Sequence, residues 1–384
     1  MPSRPTIDHL PETKTIHPHK IMITMKNIRF SLLTAVGLLL TVNAKAQINI
    51  HIAGAVSLQD VTYNTLVGLY GGNLTSQNLS APTKPTTANI FTMTGQMTNL
   101  FGSQIVNVYV DWSGSGPAIQ SLTGNGTVNF YSSATQGVTN LVAANVDVGG
   151  SVVYQDDYAY TTPVLNDSTY GVTPTIFAKS PQVPASITNI TSQQIRYIEA
   201  NGSAPASFFT GNAADTNVIY WILRDIGAAH RIISSDEAGF TGNANGYYYS
   251  NGVWVAESQP SGRTSWPLIL NMITNNYGPC LTFLPPNQAA NINPANILSF
   301  NGSFPFNGTY STVTNDYSPT INGQYTCWGF EHIMTAPTAN NNIIAFAAAL
   351  EAGVQSNMVT SPYSIPLPRV NVTRSSTGGL VTPK

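Results

Sequence analysis

The chain has 384 residues, enough for two domains and a large buried core, and only 8% of them are charged. From residue 47 onward it keeps nine basic and 15 acidic side chains, a net charge of −6 with no basic run. That balance excludes a general electrostatic attraction to nucleic acid and makes each arginine near a loop informative.

The N-terminal part reads as a targeting segment. Met25-Lys26-Asn27-Ile28-Arg29 is a basic start, Phe30 to Leu40 is an apolar run too short to span a membrane, and Ala44-Lys45-Ala46 is a cleavage signal before Gln47. We therefore expect an upstream extension over 1–24, a signal peptide over 25–46, and a periplasmic or extracellular product with no membrane span after cleavage. Export admits a disulfide between Cys280 and Cys327, the only two cysteines, with two buried thiols as the alternative. His51, His230 and His332 share no ligand spacing with them, so neither a metal nor a cofactor is expected.

Next come repeated units of strand, small-residue loop and helix. Ile48 to Ile52 alternates like a strand and runs into Ala53-Gly54-Ala55-Val56-Ser57, after which Leu58, Val61, Leu66 and Leu69 suit a helix capped by Ser57. Residues 71–89 form a polar connection. Ile105 to Val110 is a strong strand ending in Asp111-Trp112-Ser113-Gly114-Ser115-Gly116-Pro117, with Pro117 in the first turn of the next helix. Asn145 to Ser151 repeats the design loosely. Val172 to Ala178 is strand-like, and Thr191 to Gln194 is a capping box.

The stretch Tyr220 to Arg231, YWILRDIGAAHR, then joins a strand to a helix start over Ala228 to Ser234. Small residues before a helix leave backbone N–H groups open to an anion, Arg224 adds a fork suited to an oxyanion, and Asp225 orients it or accepts a proton. The alternative is an ordinary strand end with a solvated ion pair. A hairpin is expected within Phe240 to Val255, and Arg263 precedes an apolar helix from Trp266 to Ile273. Cys280 to Leu284 and Tyr325 to Phe330 read as strands, Asn342 to Val354 as a helix, and the tail from Ser361 as a loose surface segment. Together these imply an α/β protein with mostly parallel strands and ligands at the strand C-ends.

Six stretches in this order resemble the phosphate-type periplasmic substrate-binding proteins of ABC transporters: AGAVS at 53–57, SGSGP at 113–117, DVGGS at 147–151, residues 174–198, residues 208–231, and GQYTCWGFEH at 323–332. The resemblance implies an α/β, two-lobed type II periplasmic-binding-protein fold with two crossover hinge strands. Lobe one would hold 47–171 plus 280–384 and lobe two 172–279, with Val172 to Ala178 and Cys280 to Leu284 as the crossings. It implies a non-enzymatic exported protein that captures a small anion, phosphate or another oxyanion, by hinge closure, with an ABC permease as partner. Ligand contacts would come from Ala55 and Ser57, from Ser113, Gly114 and Ser115, from Asp147 and Ser151, and from Arg224, Asp225 and His230.

The sequence also departs from the family pattern. Ser151 is followed by Val152 where an acidic residue is usual, leaving Asp147 as the substitute, and R-D-x-x-S-G-T becomes Arg224 to His230 with Ala228 and His230 in place of two hydroxyls. Each lost charge-assisted hydrogen bond is worth about 1.5–3 kcal/mol. His230 is either a replacement donor or an exposed residue at a helix start. The second reading of the whole chain is a degenerate binding fold serving as a surface or interaction module, which expects a filled cleft. An enzyme is the weakest reading, since neither a G-x-S-x-G elbow nor a Walker lysine is present.

Overall fold

A computed structural model of the chain describes residues 47–258 and 266–384. The expected signal peptide, the segment before it and Arg263 lie outside the described residues.

Apolar alternation builds the first strand, β1 (Ile48–Gly54), with Ile50 and Ile52 buried. One helical turn, Val56–Leu58, capped by Ala55 rather than Ser57, leads into α1 (Gln59–Tyr70), which Gly71 ends in the left-handed region at φ 58°. There follow β2 (Leu74–Leu79), β3 (Ile90–Gly95) and β4 (Val106–Asp111), then α2 (Ser115–Leu122). A small hairpin of β5 (Val128–Tyr131) and β6 (Leu141–Ala144) precedes β7 (Val148–Ser151) and β8 (Asn166–Pro174).

After Thr175 the chain enters a second sheet as β9 (Ile176–Lys179), followed by β10 (Asn189–Ile190) and α3 (Ser192–Asn201). The expected capping box opens α3: Thr191 Oγ1 accepts from the Gln194 amide at 3.2 Å, and Gln194 Oε1 accepts from the Thr191 amide at 2.9 Å. β11 (Ser203–Pro205), β12 (Val218–Trp221) and α4 (Ala229–Ala238) come next, then the expected hairpin as β13 (Asn245–Ser250) and β14 (Val253–Ser258). α5 (Trp266–Thr274), β15 (Cys280–Leu284) and β16 (Ile297–Phe300) complete this part. The chain then returns to the first sheet as β17 (Trp328–Thr335), α6 (Asn341–Met358) and β18 (Ile365–Pro366).

The first sheet has the order β18-β8-β17-β7-β1-β4-β3-β2 and the second β10-β16-β9-β15-β12-β11. The molecule is thus a two-lobed α/β protein with one main sheet per lobe. Among the described residues parallel pairing is confined to β1 with β4 and β7, β10 with β16, and β12 with β15. The expectation of mostly parallel sheets is corrected, because the short connections of β2-β3-β4 and the strands that cross between lobes, β8, β9 and β17, impose antiparallel neighbours.

Three further expectations change. Cys280 to Leu284, read as a crossing, is an interior strand of the second sheet, and all five residues are buried between β9 and β12. An interior strand and a crossing strand present the same unbroken apolar run, so the sequence does not separate them. The return runs through Tyr325 to Trp328 beside the first crossing: the Thr175 amide donates to Cys327 O at 2.9 Å, and the Tyr325 hydroxyl donates to Thr175 O.

Cys280 and Cys327 are both free and buried; the Cys280 thiol faces Met272 O, and Cys327 lies in the crossing, so the two do not bridge. The tail, finally, is not loose. Arg374 is buried against Glu237 of α4 at 3.1 Å and lies 3.9 Å above the Trp328 ring, while Thr377 Oγ1 donates to Asp157 Oδ2 at 2.6 Å. It therefore straps the crossing to an element of each lobe. No helix among the described residues is long and apolar enough to cross a membrane.

Candidate functional site

The C-ends of β1, β4 and β7 converge through small residues. The Ala55 amide donates to Gly150 O at 3.1 Å and the Gly114 amide to Gly54 O at 2.9 Å, and a Cβ on Gly54 would stand 2.5 Å from Gly150 O. Gly114 has φ 119°, a conformation that L side chains rarely adopt, which turns β4 into α2. Beside this junction a cleft of about 550 Å³ opens between the lobes. Asp111, Trp112 and Ser113 line it after β4, Arg224 and Asp225 after β12, and Trp266, Asn287 and Gln288 from the second lobe.

Arg224 dominates the electrostatics. Its guanidinium lies 4.5 Å above the Trp266 ring, and among the described residues it donates to no hydrogen-bond acceptor. Arg231 fixes the turn by donating from Nη1 to Arg224 O at 3.0 Å. Burial holds the Arg224 pKa below its ordinary value, with Asp225 opposing that shift. Asp111, whose carboxyl has no protein partner among the described residues, is pushed up by burial to about 7. Asp60, also lining the cleft, accepts from Ser361 Oγ at 3.1 Å and is likewise raised by burial.

Of the ten residues expected to meet a ligand, Ser113, Arg224 and Asp225 line this cleft. The amides of Ala55 and Gly114 are engaged by neighbouring strand ends, as above. Ser57 is buried and its hydroxyl has no partner among the described residues, whereas Ser115 Oγ accepts from the Val152 amide at 3.3 Å. Ser151 is buried, donating from Oγ to Val153 O at 2.7 Å. Asp147 is placed elsewhere: it accepts from the His51 amide at 2.8 Å and lies 3.0 Å from His51 Nδ1, under a His51 ring stacked on Tyr109.

His230 is neither an exposed residue nor a charged donor. It is buried with Nδ1 2.8 Å from Thr175 Oγ1 at the first crossing, and burial, helped by Arg224, lowers its pKa to about 3, so the ring is neutral. The starts of α2 and α4 also approach each other directly. The Tyr158 hydroxyl donates to Gly227 O at 3.0 Å, and a Cβ on Gly116 would stand 3.0 Å from the same oxygen.

Sequence reasoning missed Asp111, Trp112, Trp266, Asn287 and Gln288. Asp111 was legible in principle as the acid at the last position of a strand before a Ser/Gly loop. The others are brought in by tertiary packing from segments with no motif. Among the described residues no group of three His, Cys, Asp or Glu side chains is arranged to hold a metal.

No protein-family model matches the chain, and no curated protein matches it. Among solved structures the chain is similar to a putative phosphate ABC transporter substrate-binding protein with bound phosphate from Clostridium perfringens, at 11% identity and a TM-score of 0.51, covering 83% of this chain and 99% of that one. It is similar also to an ABC-type phosphate transport receptor from Vibrio cholerae (14% identity, TM-score 0.47, covering 81% and 97%) and to an OxyR mutant from Porphyromonas gingivalis (10%, 0.40, 81% and 95%). The first of these likenesses carries the fold: the chain has the two-lobed architecture of the phosphate-type substrate-binding proteins.

Proposed function

We propose that the protein is an exported substrate-binding protein that captures a small ligand through an anionic group, between two lobes that close about the paired crossings, and hands it to an ABC permease. The observation that carries this reading is Arg224. A half-buried guanidinium withdrawn into a cleft against an aromatic ring, its buried Nε without a partner among the described residues, is costly in the empty protein and is satisfied by an oxyanion, most strongly by a bidentate one. Trp266 holds the fork in place, so little side-chain freedom is lost on binding.

The phosphate bound to the Clostridium perfringens protein is the precedent for an anion in this fold. The topology supports lobe closure: among the described residues the chain passes between the two main sheets beside Thr175 and again through Tyr325 to Trp328. Binding is the role we assign, rather than catalysis. The alternative, an interaction module with a degenerate cleft, expects that space to be filled; a cleft of about 550 Å³ with an unsatisfied cation favours capture.

A thermal-shift series with inorganic and organic oxyanions tests the reading. An anion present at 100 times its Kd stabilises the protein by about 2.7 kcal/mol, and Arg224→Gln removes that gain while keeping the unliganded melting temperature within a few degrees. Stabilisation that persists in Arg224→Gln, or its absence with every anion, refutes it.

A further inference from the structure

Three features of the cleft narrow the chemistry of its ligand. The first is space with the lobes already touching. Tyr158 and Gly227 are joined at 3.0 Å, and Asn287 Nδ2 donates across the cleft to Val56 O at 2.8 Å, yet about 550 Å³ remains. That is the size range of pockets for organic ligands, and a bare tetrahedral oxyanion would leave most of it to water. The contact of Gly116 with Gly227 also denies an anion the position between the two helix starts.

The second is the lining. Carboxamides come from both lobes, Gln59 and Asn89, joined to each other at 3.3 Å, on one side and Asn287, Gln288 and Asn291 on the other, with Asn287 Oδ1 buried and without a partner among the described residues. A carboxamide presents donors and an acceptor together, which matches a hydroxyl group; an oxyanion makes use of the donors alone. The third is Asp111, an acceptor without a protein partner among the described residues. Facing an unprotonated anion such as sulfate it would be repulsive, whereas a hydroxyl group of a ligand satisfies it. Burial without such a donor pushes its carboxyl up to about 7.

We propose that the cleft takes an anionic polyhydroxylated organic molecule, a sugar acid or a sugar phosphate, with its anionic group on Arg224 and its hydroxyl groups on Asp111 and the carboxamides. The inference rests on the reading of Arg224 as the anion anchor. Isothermal titration of the purified protein with glucuronate, gluconate, glucose 6-phosphate, glucose, inorganic phosphate and sulfate tests it. At least one sugar anion should bind at least about tenfold tighter than phosphate, sulfate and glucose, and the carboxylate and phosphate arms identify which anion is carried.

Asp111→Asn should weaken that sugar anion about tenfold and leave the residual affinity for sulfate no weaker, and Arg224→Gln should weaken both; circular dichroism and the melting temperature report whether each variant is folded. Should phosphate or sulfate bind as tightly as the best sugar anion, this inference falls and the anion reading stands. Glucose equal to its acidic derivatives, or Asp111→Asn without effect on them, also overturns the inference. No binding by any probe overturns both.

Discussion

Replacing Glu331 with Gln should change how the stability of this protein depends on pH, in a direction that the structure fixes. Glu331 sits on β17 with none of its surface exposed. Its Oε1 accepts from Ser364 Oγ at 2.9 Å, but its Oε2 has no partner among the described residues and packs near Gly171 and Met358. Burial is the largest influence and raises its pKa from 4.5 to about 8, with the Ser364 hydrogen bond opposing and Asp60 assisting. The folded state therefore holds this proton when the unfolded chain has released it. Its stabilising contribution is fully present below pH 4.5 and is lost as pH rises through about 8.

The interval from 4.5 to about 8, at about 1.4 kcal/mol per pH unit, amounts to about 5 kcal/mol between those limits. Glu331→Gln keeps the shape and the acceptor for Ser364 but cannot ionise. Urea unfolding at intervals from pH 4 to pH 9 should show the difference between variant and wild type flat below pH 4.5, climbing in favour of the variant by several kcal/mol, and flat again above pH 8. Parallel curves across that range would mean that the group is solvated, and the reasoning would fail.

Arg374→Ala should cost about 3–5 kcal/mol, because it leaves Glu237 buried without its partner and removes the packing over Trp328; a loss under 1 kcal/mol in urea unfolding would show that the tail does not strap the lobes. Ellman's reagent should find two thiols after denaturation and almost none before it, with no change in melting temperature on adding reductant; a bridge between Cys280 and Cys327 would contradict the free, buried pair. His230, depressed to about 3, contributes stability that is present above the unfolded value of 6.5 and lost as pH falls toward 3. Its imidazole NMR resonances should therefore show no titration between pH 7 and pH 5, and a midpoint near 6.5 would place the ring in water.

The elements written in local chemistry were legible in the sequence. The capping box at Thr191 and Gln194, the apolar run of β1 and the Ala-rich α6 form where their residues say they should, because each depends on neighbours within a few positions. What depended on distant partners was not. β15 looks like any buried strand, and its place between β9 and β12 is set by residues a hundred positions away. Arg374 looks like a solvated tail charge until Glu237 and Trp328 are brought to it. The same division runs through the site: Arg224 and Ser113 were reached from their own loops, whereas Trp266 and Asn287 enter the cleft through packing that no spacing announces.

Three of the six stretches that carried the family resemblance, AGAVS, SGSGP and DVGGS, lie at the strand junction, and the junction explains why they are small. Gly54 allows Gly150 O to approach within 2.5 Å of where a Cβ would be, Ala55 donates to that same strand end, and Gly114 adopts φ 119° while donating back to Gly54. Any chain that brings β1, β4 and β7 together in this way needs such residues, whatever it binds. Their amides are engaged by one another, so here they cannot serve a ligand without breaking the junction. On the proposed function, recognition falls to side chains that the junction does not constrain: Asp111 at the end of β4, Arg224 held by Trp266, and the carboxamides around them. In such a scaffold the residues that preserve the architecture and those that choose the ligand are different sets. A chain can keep the first set and replace the second, which is the combination that Ala228, the buried neutral His230 and the unpartnered Asp111 together describe.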